Sequence, residues 1–260
     1  MLKYLDFNIQ EPYRDGNRKD ITWETFQQYR NEAKISKKFN DYLKGKKVVI
    51  VGPSPYLVDK ERGKLIDSFD VVIRMNKGWK ITPDRVKDYG SKTNIRWHCM
   101  MEHPDNGGDF AIDDMLDHGV EWLASQFPRN LDYFHYDNIK FEQKNNNKIK
   151  FHCFADLIYF LNIHRALETR PNVAPTAIFE LINYDIENIH LMGVTFFKDG
   201  WDKGYKAQGR DKGYKEGEYK KERALDGHAQ EAQIHLLKLI LENESKFTMD
   251  KEIETLIYNK

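Results

Sequence analysis

Cysteine is scarce in this chain: 260 residues contain two, Cys99 and Cys153. Two cysteines make no disulfide framework, and neither belongs to a Cys-x-x-Cys pair or a Cys/His cluster at zinc spacing. Both lie in apolar, strand-like runs, which predicts two buried free thiols and a reducing compartment. No window nears the roughly 18 consecutive apolar residues of a membrane span. The opening Met-Leu-Lys-Tyr-Leu-Asp-Phe-Asn has neither an apolar core nor a cleavage site, so the expectation is a cytoplasmic protein without secretory signal or transmembrane segment. Net charge is missing as well: 41 Lys and Arg balance 41 Asp and Glu. That balance speaks against a whole-protein electrostatic grip on nucleic acid. Gly-x-Gly-x-x-Gly, a P-loop Gly-Lys-Ser/Thr, His-Glu-x-x-His and Asp-x-Asp are all absent. Their absence leaves no dinucleotide fingerprint, no P-loop and no recognisable metal motif.

What is present is a globular chain. At 40% hydrophobic and 13% aromatic it is too apolar for disorder, despite 32% charged residues. Its length suits one domain, or at most two small ones. Residues 1–20 are polar and aperiodic and read as a loosely held arm. Helical spacing runs from Thr22 to Leu43 and stops at Gly45. The run Lys46-Lys47-Val48-Val49-Ile50-Val51-Gly52 then has the signature of a strand buried on both faces of a parallel sheet. Asp70–Arg74 is a second such run, with a short helix expected over Asp59–Phe69. Further strands are predicted at Asn94–Met100, Val120–Ser125, Lys148–Phe154 and Asn188–Met192. Helices are predicted at Phe110–His118, Asp156–Leu167, Pro175–Tyr184, Gly227–Asn243 and Lys251–Tyr258. The alternation means a doubly wound α/β fold, a Rossmann-like α/β/α sandwich with a mostly parallel sheet. Ligands of such sheets bind at the carboxyl ends of strands. That directs attention to Gly52–Tyr56, Arg74–Lys77 and Gly193–Phe197.

Three constellations carry chemistry. The first is Val48-Val-Ile-Val-Gly-Pro-Ser-Pro-Tyr-Leu57, then Ile66-Asp-Ser-Phe-Asp-Val-Val-Ile-Arg-Met-Asn76. Glycine at a strand end lets a ligand approach the backbone, Ser54 adds a hydroxyl, and Asn76 adds an amide suited to a nucleotide or sugar edge. A tight turn alone would also explain Pro53-Ser54-Pro55. The second is Arg170-Pro-Asn-Val-Ala-Pro-Thr-Ala-Ile-Phe-Glu-Leu-Ile182, then Ile189-His-Leu-Met-Gly-Val-Thr-Phe-Phe197. It reads as a turn opening a helix, whose N–H groups favour a phosphate or carboxylate, followed by a strand ending at Gly193. Helix packing would account for the same residues. In the third, His228, Glu231 and His235 share one helix face, which ordinary capping would also produce.

Together these patterns resemble the sialyltransferases of glycosyltransferase family 29, of bacterial or viral type, over roughly residues 45–245. Gly52, Ser54, Ile66, Asp67, Asp70, Arg74 and Asn76 match the family's large sialyl motif, with Pro53 and Pro55 standing where the family carries Asn and Gly. Pro171, Asn172, Val173 and Ala174 fall on the Pro-Ser/Thr-Thr-Gly positions of its small motif. His228 falls on the histidine that serves the family as general base, with Glu231 shortly after it. The resemblance implies a sialyltransferase-type variant of the GT-A fold. It divides the chain into an N-terminal arm and helix (1–45), a catalytic domain (46–245) and a C-terminal helix (246–260).

The activity implied is inverting, metal-independent transfer of sialic acid or a related acidic sugar from a CMP-sugar donor. The CMP-sugar is a substrate, no cofactor is involved, and the acceptor is a glycan or lipid-linked glycan. Gly52, Pro53, Ser54, Asn76, Asn172, Val173, Ala174 and Gly193 would hold the nucleotide. No histidine lies between His190 and His228, where the family places a phosphate-contacting one. Arg74, Tyr205, Lys206, Tyr214 and Glu231 are the phosphate or substrate partners available instead. The Gly/Lys/Tyr segment 198–223, in which Asp-Lys-Gly-Tyr-Lys occurs at 202–206 and again at 211–215, reads as a mobile lid or a solvated linker. Two readings stay open beside transfer. One is a non-catalytic nucleotide-binding Rossmann-like protein. The other is a pterin-type pyrophosphokinase, which would need magnesium and ATP.

The neutral total hides local imbalance. Residues 30–47 hold seven Lys/Arg against two Asp/Glu, and residues 102–137 hold nine Asp/Glu against one Arg. The basic N-terminal helix could rest against an acidic lipid or glycan, a peripheral membrane contact.

Overall fold

The computed structural model describes residues 21–104, 106–129, 131, 135–168, 170–202 and 230–258. At its centre the run Lys47–Val51 forms β1, with Val48–Val51 fully buried. Val48 and Ile50 enter the larger core on one face, while Val49 and Val51 join a smaller cluster with Leu57, Ile66, Val72 and Tyr89 on the other. An unbroken apolar strand is the expected product of burial on two sides. β1 pairs in parallel with β2 (Val71–Met75) and with β6 (Asn188–Met192), and Val48 lies opposite both Val71 and Ile189. With β3 (Ile95–His98), β4 (Trp122–Pro128), β5 (Lys150–Phe154) and β7 (Phe247–Met249), the seven-stranded sheet runs β5-β4-β3-β2-β1-β6-β7. Every described pairing is parallel. The fold is thus α/β and Rossmann-like. Strand order reverses at β1, since β2 lies on one side and β6 on the other. The crevice above β1 and β6 is therefore the topological switch point.

Helices cover both faces. The predicted helical stretch 22–43 is two helices, α1 (Trp23–Asn31) and α2 (Lys37–Leu43). Tertiary bonds break it: the Lys34 N–H donates to Asp156 and the Ser36 N–H to the Tyr184 hydroxyl. The Ser36 side chain then caps α2 by accepting from Phe39 N–H. The expected helix 59–69 shrinks to α3 (Gly63–Asp67), and α4 (Val86–Tyr89) follows after two 3₁₀ turns, Asn76–Trp79 and Pro83–Arg85. Next come α5 (Ile112–Asp117), α6 (His135–Asn145), α7 (Leu157–Leu167) and α8 (Val173–Leu181). The last two are α9 (Gln230–Asn243) and α10 (Lys251–Tyr258). α8 starts two residues before the position expected from Pro175, because Asn172 takes the extended N-cap conformation and proline is tolerated in a first turn. Neither α6 nor β7 was expected from the sequence. Among the described residues no helix is long and apolar enough to cross a membrane.

Candidate active site

A cleft opens at the switch point. Gly52, Pro53 and Ser54 line it from the β1 exit, Asn76 from the β2 exit, Asn172, Val173 and Ala174 from the start of α8, and Gly193 from the β6 exit. The structure thus brings together all eight residues expected to hold a nucleotide. Two of them touch backbone to backbone. The Gly52 N–H donates to the Met192 carbonyl at 2.8 Å, extending the β1–β6 ladder to the rim. A Cβ on Gly193, whose φ is +71°, would sit 2.6 Å from the Gly52 oxygen. Side chains are excluded there, which leaves the strand ends open to a ligand.

The polar groups of the cleft are already partly committed. The Ser54 hydroxyl donates to Asp199, which also accepts from the Thr195 hydroxyl. Ser54 Oγ in turn accepts from Tyr56 N–H at 3.3 Å, and its carbonyl accepts from the Tyr89 hydroxyl at 2.8 Å. The serine expected to meet a ligand therefore acts first as a clasp, holding the segment after β6 against the β1 turn. The Asp202 N–H reinforces this by donating to the Pro53 carbonyl at 2.8 Å. Within the held segment Phe196 and Phe197 have φ of +55° and +58°. Left-handed backbone in aromatic residues is strained, and it occurs here in the wall of the cleft. On the opposite side of β6, the Tyr56 hydroxyl donates to Asp250 and accepts from the Gly193 N–H at 2.6 Å. Burial and the neighbouring carboxylate push the Tyr56 pKa up, so this hydroxyl stays protonated.

Asn76 occupies the left-handed region at φ +49°, which asparagine tolerates. Its Oδ1 accepts from Cys99 N–H at 2.9 Å, and its carbonyl accepts from Arg96 Nε at 2.8 Å. Arg96 continues to the carbonyls of Gly107 and Asp109, both at 2.8 Å, fixing the loop that closes this end of the cleft. Burial lowers the Arg96 pKa to about 9, which leaves it charged at neutral pH.

At the α8 start, the Asn172 N–H donates to Gln233 Oε1 at 2.8 Å. That bond ties the first turns of α9 to the cleft. Two buried polar atoms in the wall have no hydrogen-bond partner: Asn172 Nδ2 and Gln126 Oε1. An unmatched donor and an unmatched acceptor in one wall are places where a polar ligand would offset the desolvation cost.

The remaining expected residues lie elsewhere. His228, Tyr205, Lys206 and Tyr214 fall outside the described residues. Glu231, in the first turn of α9, forms an ion pair with Lys198 at 3.3 Å. Arg74 does not line the cleft; it is buried beneath the neighbouring turn, donating to the Tyr89 and Lys92 carbonyls. Gln126, Arg170, Asp199 and Gln233 are site residues that the sequence reading did not select. Arg170 stands at the edge of the second constellation. Gln126 is a polar residue at the carboxyl end of a buried strand, and that placement is a usable signal. Asp199 and Gln233 act through long-range contacts and carry none.

The sequence profile of glycosyltransferase family 29 (sialyltransferase) matches residues 4–163, more than half of the chain. The chain belongs to glycosyltransferase family 29. It is a sialyltransferase-like glycosyltransferase. Solved sialyltransferases share the fold at low identity. A variant of the sialyltransferase Cst-II in complex with CMP aligns with a TM-score of 0.52 at 15% identity, covering 78% of this chain and 80% of that one. The apo α-2,3-sialyltransferase from Campylobacter jejuni aligns with a TM-score of 0.50 at 14% identity, covering 88% and 86%. No curated protein sequence matches.

Proposed function

We propose that this family 29 enzyme transfers sialic acid or a related acidic sugar from a CMP-sugar donor to a glycan or lipid-linked glycan acceptor, with inversion and without a metal. The observation that carries the reading is the convergence of both motif turns on one cleft whose wall holds an unpaired donor on Asn172 and an unpaired acceptor on Gln126. Gly52, Asn76 and the Asn172–Ala174 turn receive the nucleotide. The N–H groups at the start of α8 face its phosphate.

His228 acts as general base. It takes the proton of the acceptor hydroxyl, whose oxygen forms a bond to the anomeric carbon as the bond from that carbon to the phosphate oxygen breaks and CMP leaves. One feature supports a base in that segment. α9 begins at Gln230, two residues after His228, and Gln233 bonds to the rim residue Asn172. A CMP leaving group carries one phosphate, and the chain has no Asp-x-Asp pair to hold an ion against a diphosphate. The unpaired thiols of Cys99 and Cys153 suit a cytoplasmic site of action.

A thermal-shift comparison of CMP, UDP, GDP and ATP tests the donor class, because a ligand that binds the native state raises its midpoint. CMP alone should do so. His228→Ala should retain CMP binding and lose transfer from CMP-sialic acid, in EDTA as in buffer. A fully active His228→Ala protein would overturn the mechanism.

A further inference from the structure

Across the Gly52–Pro53 turn from the cleft lies a second cavity. Four cations line it, Arg74, Lys77, Lys80 and Arg85, against one carboxylate, Asp202. Arg85 and Asp202 pair with each other, and Lys80 leans to Asp114, outside the cavity, at 2.8 Å.

Arg74 decides the reading. It is 1% exposed, and its Nε donates to the Lys92 carbonyl and the Thr93 hydroxyl, both at 3.1 Å. Its Nη2 donates to the Tyr89 carbonyl. All of these acceptors are neutral, and among the described residues no carboxylate pairs with it. Asp67 acts on it through space, while the Asp67 oxygens accept from the N–H groups of Ser91 and Lys92 at 2.9 to 3.0 Å. Burial lowers the Arg74 pKa to about 10, so the guanidinium remains charged. Asp67 is thus a counter-charge at a distance and not a direct partner, and an oxyanion in the cavity supplies a direct one.

We propose that this second cavity binds a phosphate or carboxylate of the acceptor, so that the enzyme selects acceptors that already carry an acidic group. The proposal rests on the assignment of the first cleft to the donor. The two cavities share Gly52, Pro53 and Met75 as a common wall. An acceptor anchored by its acid therefore lies one backbone turn from the donor.

The test is titration of inorganic phosphate into the full chain saturated with CMP, followed calorimetrically. Phosphate should still bind, and Lys77→Gln/Lys80→Gln should raise its Kd about tenfold, the expected loss for charge-assisted contacts. The CMP affinity and the thermal midpoint of that variant should be unchanged. In turnover with CMP-sialic acid, KM for lactose 3-phosphate and for sialyllactose is compared with KM for lactose. The acidic sugar that loses its advantage in the double variant identifies phosphate or carboxylate as the ligand group. Displacement of phosphate by CMP, or equal use of lactose and both acidic sugars, overturns the proposal. Failure of CMP itself to bind overturns the donor reading instead, and phosphate binding by the two proteins still tests the cavity.

Discussion

Gly52→Ala tests the close approach of the β1 and β6 ends most directly. An added Cβ at residue 52 would lie 2.6 Å from the Gly193 carbonyl carbon and 3.0 Å from the Val194 nitrogen. Both atoms are backbone, so no side chain can rotate away, and relief requires the two strand ends to part. Overpacking costs about 1–3 kcal/mol, and a contact with no flexible partner belongs near the top, at about 3 kcal/mol. In a domain of this size each kcal/mol moves the thermal midpoint by about 2–4 °C, so the variant should lose about 6–12 °C. The cleft wall moves with the strands. Ligand at about 100 times its Kd stabilises a native protein by about 2.7 kcal/mol. The parent should gain that amount with CMP, and Gly52→Ala should gain less. Gly45→Ala is the control. Its φ is +69°, but nothing lies within 4 Å of an added Cβ. Only the left-handed cost of about 1–2 kcal/mol applies there, and CMP should act in full. The assay is differential scanning fluorimetry with and without CMP. A Gly52→Ala midpoint equal to the parent's, with an undiminished CMP shift, would refute the packing argument.

Three further outcomes are expected. His164 is buried, its Nδ1 has no partner, and burial first and Arg170 second lower its pKa to about 3. Its contribution is complete above the unfolded value of about 6.5 and is lost as pH falls toward 3, at about 1.4 kcal/mol per pH unit. Urea unfolding of His164→Leu should show a correspondingly flatter acid dependence, and an unchanged slope would count against it. Gln126→Leu removes an unmatched buried oxygen, so stability should hold or rise while the Kd for CMP rises about tenfold; calorimetry showing unaltered affinity would remove Gln126 from the site. Asp199→Ala deprives the Ser54 and Thr195 hydroxyls of their acceptor. Denaturant titration should show a loss of about 2 kcal/mol together with weaker CMP binding, and a variant unchanged in both would dissolve the clasp.

The sheet was readable because its central strands are unusual. Val48–Val51 and Val71–Ile73 are apolar without alternation, which few structures other than a doubly covered parallel strand require. β7 escaped because three residues, Phe247–Met249, carry no period, and its place is set by pairing with β6. α6 escaped because His135–Asn145 mixes polar and apolar residues with little periodicity. In the site, the turns were legible wherever backbone geometry constrains residue type, as at Gly52, Asn76 and Gly193. Ser54 was legible as a site residue but not as a clasp, since its partner Asp199 is 145 residues away in the chain. The same distance problem hid Gln233. Arg74 read as a ligand contact of the cleft. Its acceptors, the Lys92 and Tyr89 carbonyls and the Thr93 hydroxyl, come from a loop whose path no local pattern reveals.

Asn76 shows what such a commitment means for recognition. Its amide oxygen accepts from the Cys99 N–H, which fixes the plane of the amide beside the cleft. The side chain can therefore offer its NH₂ to acceptor atoms on a ligand, while its oxygen keeps one lone pair for a donor. Aspartate at this position could still hold the Cys99 N–H. It would present the ligand with a second acceptor and a negative charge. Asparagine here supplies a neutral donor as well as the shape of a turn.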